Sequence, residues 1–253
     1  MDQIYIPKNR SSLEIGSYVI IKPLETIPEN NQKPYFYNIK TLEPIKIDII
    51  NSIFKIISES LKKEDNIIIT GSFLYYGFKF DDVDVLIVTE KKINENLIKK
   101  ELEDRIGIIP HIITIKVKEL ISGLSSDPLY QMMLSSCVSK RKFIYKYNKK
   151  INYKLLDLHL LKSKPLIDNF YYLDSNQIYG LTRNLITISL FLKDKKLSND
   201  LVNLKIKEEF NLKNIDEIKK GIINKGTFLK KYKFLYEKTF KIILNNVKNH
   251  SIK

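Results

Sequence analysis

Three short apolar segments constrain the fold of this chain more than any other feature of its sequence. Residues 66–70 contain three consecutive isoleucines and close at Gly71. Residues 82–88 alternate at first and then become continuously apolar, and residues 111–117 are a third segment rich in isoleucine and valine. Each has the length and composition of a buried β-strand. We therefore predict a small sheet whose strands follow one another closely along the chain.

The segments around these runs predict helices. Apolar residues recur at helical spacing in 45–61 and in 93–106. Asp127 and Pro128 open a further helix, with proline in its first turn. Residues 142–145 could add a short last strand.

The strand signal disappears after about Asn148, which divides the chain into parts. Helical periodicity then recurs in 178–192, 200–210 and 227–247. We therefore predict an α/β (α+β) domain over 45–147 and an all-helical bundle domain over 148–253. We interpret residues 1–44 as an N-terminal extension in which residues 18–21 resemble a short strand.

The loop between the first two predicted strands carries the residue types of a phosphate site. Gly71 has no side chain, so backbone N–H groups there can approach an anion closely. Ser72 can begin a short helix whose N-terminal amides, together with its hydroxyl, would hold phosphate. On the next strand, Asp82 and Asp84 are two residues apart, and side chains two apart point to the same face.

Two carboxylates on one face repel each other unless a cation lies between them. Mg²⁺ is the natural occupant, with Mn²⁺ as an alternative, since proteins bind Mg²⁺ through one or two carboxylates plus substrate phosphates. Together with the phosphate loop, Asp82 and Asp84 predict a site for a nucleoside triphosphate (NTP) and its metal ion.

The spacing of these residues resembles a known signature. Gly71-Ser72, nine residues, and then Asp82-Val83-Asp84-Val85 is similar to the motif of the DNA polymerase β-like nucleotidyltransferase superfamily. The resemblance extends over about residues 45–147, and the segment 127–145 is similar to the tail of its small members, the minimal nucleotidyltransferases.

The resemblance implies a small mixed sheet with flanking helices and an added helical domain that binds substrate. It also implies Mg²⁺-dependent transfer of a nucleoside monophosphate from an NTP to an acceptor hydroxyl. Gly71 and Ser72 would then bind the triphosphate, while Asp82 and Asp84 would be catalytic metal ligands.

One position departs from the superfamily pattern. Members commonly carry a third carboxylate on the third strand, whereas here His111 falls nearest that position. Imidazole can accept a proton at neutral pH, so His111 is a candidate base or a group that aligns the acceptor. It is, however, a poor Mg²⁺ ligand. Asp81 and Glu90 are the nearby acids that could compensate.

The charge of the chain favours a polyanionic partner. The formal net charge is +14, although heavy use of Lys, Ile and Asn is also typical of an AT-rich genome. A basic zone at the predicted domain junction and one arginine on a later helix are candidate nucleic-acid contacts. These are Lys140, Arg141, Lys142, Lys146, Lys149, Lys150 and Arg183.

Three functions remain open on this sequence. The first is a nucleotidyltransferase whose acceptor is RNA, with tRNA as one option. The second transfers the nucleotide to a small molecule such as an aminoglycoside, or to a protein. A cationic small molecule needs clustered acids, and Glu208-Glu209 and Asp216-Glu217 are the main ones in the helical half. The third is a nucleotide- or RNA-binding module without catalysis.

Several classes of protein are disfavoured. The chain has no run of about 18 apolar residues, so we expect no membrane-spanning helix. It begins without an apolar signal segment, from which we expect a cytoplasmic protein. Cys137 is the single cysteine, which excludes disulfides within the chain and metal sites built from several thiolates. The sequence does not indicate an oligomeric state.

Overall fold

The computed structural model describes residues 33–61, 64–78, 80–143 and 147–251, with side chains described up to residue 247. These described residues cluster as one compact unit. The strand predicted at 18–21, and most of the extension predicted over 1–44, lie outside the described residues.

A five-stranded mixed sheet forms the α/β part. Its spatial order is β1-β5-β2-β3-β4, with bounds β1 Tyr35–Tyr37, β2 Asn66–Thr70, β3 Val83–Val88, β4 Pro110–Ile115 and β5 Cys137–Ser139. β3 and β4 are parallel, and every other neighbouring pair is antiparallel. The mixed α+β class predicted from the sequence is therefore confirmed, and so are the three strands that carried the prediction.

Four helices belong to this sheet: α1 Pro44–Leu61, α2 Glu95–Ile106, α3 Val117–Ser126 and α4 Pro128–Leu134. Alternate strand residues face opposite layers. Ile67 and Ile69 pack with the buried residues of α1 and α2. Ile68, by contrast, packs with Leu120 of α3 and Leu134 of α4. The three consecutive isoleucines at 67–69 thus reflect a strand that is buried on both faces.

The last predicted strand is in a different place. Residues 142 and 143 are irregular, residues 144–146 lie outside the described part, and the fifth strand is Cys137–Ser139. All three of its residues are buried, and it pairs with both β1 and β2. A three-residue strand is too short to show a period-2 pattern. The aromatic and β-branched residues that follow it indicate a strand more strongly, and the sequence therefore predicted the strand at 142–145.

Helices make up the rest of the described chain, as predicted. They are α5 Tyr153–Ser163, α6 Pro165–Asp168, α7 Ser175–Leu192, α8 Asn199–Phe210, α9 Asp216–Lys219 and α10 Lys225–Ser251. Their apolar faces form a separate core. Tyr232 of α10 is buried there and donates its hydroxyl to the Ser163 carbonyl at 2.8 Å. Helix α7 also packs against α4, so the helical part lies on the α3–α4 side of the sheet.

His159 joins the helical part to the sheet-bearing part. It lies buried on α5, with Nε2 3.1 Å from Oδ1 of Asp127. Asp127 caps α4 by accepting the Leu129 and Tyr130 amides. Burial alone would raise the pKa of Asp127, but His159 and these amides lower it overall. None of the described helices has the length and apolar character needed to cross a membrane.

Candidate functional site

The turn after β2 lies directly against one of the predicted metal ligands. Gly71 has φ 85° and ψ −164°, a backbone conformation that is essentially restricted to glycine. A Cβ built on Gly71 would overlap the Asp84 carboxylate oxygen Oδ2. Ser72 follows as the exposed first residue of a 3-10 turn, Ser72–Leu74. The structure therefore brings the predicted phosphate loop and Asp84 together, with the Ser72 hydroxyl at the surface.

Strand pairing fixes the position of the other site residues. Asp84 is the cross-strand partner of Thr70 on β2 and of His111 on β4. Asp82 comes just before β3 begins, two residues from Asp84. Alternate residues of a strand point to the same face, so both acids lie on the face of Leu86 and Val88, which pack on the α3–α4 side. The carboxylates thus lie at the end of the sheet face on which the helical part packs.

Asp82, Asp84 and His111 form one cluster. One ligand atom from each lies within 4.8 Å of the others. His111 Nδ1 is 2.9 Å from Asp84 Oδ1, and the side chains of the two residues are 59% and 32% exposed. Two carboxylates and an imidazole are a donor set that can hold a divalent cation within reach of solvent. Within the described ranges this is the one group of three such donors, and Asp81 and Glu90 do not belong to it.

A buried ion pair holds the loop after the turn, and the sequence analysis did not identify it. Lys46 of α1 is fully buried and donates from Nζ to the carbonyls of Tyr75 at 2.5 Å and Gly77 at 2.7 Å. Glu43 lies 3.1 Å from that ammonium and accepts the Gly77 amide. The amide is the largest cause that lowers the pKa of Glu43. Lys46 lies four residues before Ile50, on the apolar face of α1, and a lysine at such a position could have indicated a buried cation.

A second group of cations lies around the Tyr179 ring of α7. The Arg183 guanidinium is 6.0 Å from the centre of the Tyr179 ring, and the Lys219 ammonium is 4.8 Å from that centre. Burial raises the pKa of the Tyr75 hydroxyl, and the nearby Arg183 charge opposes the increase. The Arg183 Nε–H is buried with no acceptor among the described groups. Arg183 therefore lies near Tyr75, the residue that follows the 3-10 turn.

Two residues of the predicted basic zone lie far from the acids. Lys140 follows β5 at the level of Ile67, whereas Asp84 is level with Thr70 at the other end of β2. The Lys140 ammonium is 2.5 Å from a carboxylate oxygen of buried Glu64, and Arg141 is 3.8 Å from the same oxygen. These two cations neutralise a buried acid at the end of the sheet away from Gly71.

The remaining residues of that zone are dispersed. Lys149 pairs with Asp194 at 2.6 Å and donates to the Phe191 carbonyl at the end of α7. Lys142 and Lys150 have no ion-pair partner among the described carboxylates. Lys146 lies outside the described residues. The zone is therefore not one continuous basic surface in the part of the chain that is described.

Comparison with protein-family models, with curated proteins and with solved structures finds no match for this chain. The chemistry of the site therefore rests on its own geometry. That geometry places a glycine turn, two carboxylates and an imidazole at one end of a mixed sheet. Arg183 of the helical part lies near Tyr75, in the loop that continues this turn.

Proposed function

We propose that this protein is a metal-dependent nucleotidyltransferase that transfers a nucleoside monophosphate from an NTP to an acceptor hydroxyl. The observation that carries the proposal is the contact between the Gly71 turn and a carboxylate of the Asp82–Asp84–His111 cluster. A turn that admits an anion beside a pair of acids that needs a cation has the composition of a metal–triphosphate site.

The residues have distinct roles in this reaction. Asp82 and Asp84 hold the cation, which when bound activates the acceptor hydroxyl and neutralises the leaving group. The Gly71 turn and the Ser72 hydroxyl donate hydrogen bonds to the triphosphate. The acceptor oxygen forms a bond to the α-phosphorus. The bond from that phosphorus to the oxygen that bridges the α- and β-phosphates breaks, and pyrophosphate leaves. The hydroxyl proton passes to solvent.

The cations beside the loop support an anionic substrate. Arg183 and Lys219 lie within 6.0 Å of one tyrosine ring, and neither forms an ion pair with a carboxylate that the structure describes. A positive charge without a carboxylate partner can instead be neutralised by a bound anion. A phosphate group held by the Ser72 turn would provide that negative charge next to Tyr75.

An RNA acceptor is favoured over a cationic small molecule or a protein. Three of the four acids that a cationic acceptor would need are already engaged: Lys205 is 3.1 Å from both Glu208 and Glu209. Glu217 accepts the Lys213 and Asn214 amides. The net charge of +14 is instead complementary to a nucleic-acid backbone, and so are Lys142 and Lys150, which have no ion-pair partner among the described carboxylates.

The proposal is tested by incubating the protein with RNA, Mg²⁺ or Mn²⁺, and each NTP labelled in the base. We expect label on the RNA with the wild-type protein and none with the Asp82→Asn/Asp84→Asn variant. RNA affinity should decrease steeply with salt, because phosphate contacts release counterions. RNA and NTP binding without any transfer would instead support a binding module, and transfer only to small molecules would replace RNA as the acceptor.

A further inference from the structure

We propose that His111 is a direct metal ligand, and that it makes the site selective for a transition-metal dication such as Mn²⁺ over Mg²⁺. This inference concerns the metal identity of the proposed transferase site and rests on that function. It assigns the imidazole to coordination rather than to proton transfer.

The geometry already has the spacing of neighbouring ligands. His111 Nδ1 and Asp84 Oδ1 are 2.9 Å apart. Two adjacent ligands of an octahedral ion with bonds of about 2.1 Å are separated by about 3.0 Å. The parallel register of β3 and β4 sets this separation, because Asp84 and His111 are direct partners across the two strands. A cation can therefore replace the hydrogen bond between them without a shift of the backbone.

The chemistry of the donor set then determines which cation is preferred. Mg²⁺ binds oxygen ligands almost exclusively and loses its water reluctantly, whereas imidazole is a good ligand for first-row transition metals. With imidazole in the third position, the cluster offers two negative charges rather than three. This reduces its electrostatic attraction for any dication, and a nitrogen bond compensates for that loss only with a transition metal.

Within the described part of the chain, no other acid can restore an all-oxygen site. The cluster of donors contains only Asp82, Asp84 and His111. Asp81 and Glu90 are close in sequence but exposed and outside the cluster. The imidazole lies on the edge strand β4 with its side chain 59% exposed, so a solvated ion can reach it.

The experiment measures metal binding to the full chain without nucleotide. Electron paramagnetic resonance follows Mn²⁺ binding and its displacement by Mg²⁺, and pulsed measurements detect nitrogen bonded to the bound Mn²⁺. The variants are His111→Asp, which restores an oxygen ligand, and Asp81→Asn, which removes a neighbouring charge outside the cluster. Circular dichroism confirms that each variant is folded.

We expect nitrogen coupling in the wild-type protein and in Asp81→Asn, and its loss in His111→Asp. The Mn²⁺-to-Mg²⁺ affinity ratio should decrease at least about tenfold in His111→Asp, since mutation of even the outer-shell partners of metal ligands commonly costs ten- to a hundredfold in metal affinity. Absence of nitrogen coupling, absence of Mn²⁺ binding, or an unchanged ratio in His111→Asp would overturn the inference.

The outcomes separate this inference from the proposed function. Nucleotide transfer with Mg²⁺ by a protein that shows no nitrogen coupling would reject the ligand role and leave the transferase intact. Nitrogen coupling in a protein that transfers no nucleotide would support the ligand role and reject the transferase.

Discussion

Replacement of Gly71 by alanine should damage the site through one identifiable overlap. The φ of 85° and ψ of −164° are nearly restricted to glycine, and holding another residue there costs about 1–3 kcal/mol. The new Cβ would also overlap Asp84 Oδ2, so either the carboxylate or the turn must move. A displacement of about 1 Å in a reacting group can cost about a hundredfold in rate. We therefore expect both lower stability and a large loss of cation affinity and transfer.

Gly77→Ala is the matched control for this substitution. Gly77 lies in the same loop at φ 87°, yet a Cβ there would meet nothing within 4 Å. Urea unfolding should show losses of the same order in both variants, whereas titration with Mn²⁺ should show a large loss only in Gly71→Ala. A folded Gly71→Ala protein that binds the cation as the wild type does would show that the turn does not constrain Asp84.

Four further substitutions test the residues around the site. Lys46→Met leaves Glu43 next to an apolar cluster without its cation and should lower the free energy of unfolding by about 3 kcal/mol, measured in urea, with Glu43→Gln added to recover part of the loss. The lowered pKa of Glu43 stabilises the fold above its unfolded value of 4.5, and this contribution is lost as the pH falls through the lower folded pKa. Glu43→Gln should therefore flatten the pH dependence of stability below about pH 4.5, and an unchanged slope would contradict the assignment. Arg183→Gln and Lys219→Gln should each raise the KM for NTP or weaken pyrophosphate binding several-fold. Lys220→Gln is the control for the loss of one positive charge, and an equal effect there would rule out a specific contact.

The parts of the site that were predicted correctly are those set by short-range geometry. A turn at Gly71 and acids at 82 and 84 are local features, and period-2 alternation then places both carboxylates on one face. The third-strand position of His111 followed from the order of the elements. Its actual contact with Asp84 depends on the register of a parallel pair 27 residues apart, which no local pattern specifies.

Contacts between distant residues account for what the sequence did not indicate. The basic zone was counted from neighbouring residues, but the acid that neutralises Lys140 lies 76 residues earlier in the chain. Lys46 joins α1 to carbonyls about 30 residues later. Arg183 approaches Tyr75 only because α7 packs against the sheet-bearing part. Such pairings depend on the tertiary fold, whereas local sequence patterns predict only secondary structure.

Position-specific labelling of the NTP decides whether this site performs nucleotidyl transfer. With RNA and Mn²⁺ present, label in the α-phosphate should become covalently attached to the acceptor, and label in the γ-phosphate should be released as pyrophosphate. Both signals should disappear in Asp84→Asn. Transfer of the γ-label, release of inorganic phosphate alone, or equal α-label transfer by Asp84→Asn would contradict the function proposed for these residues.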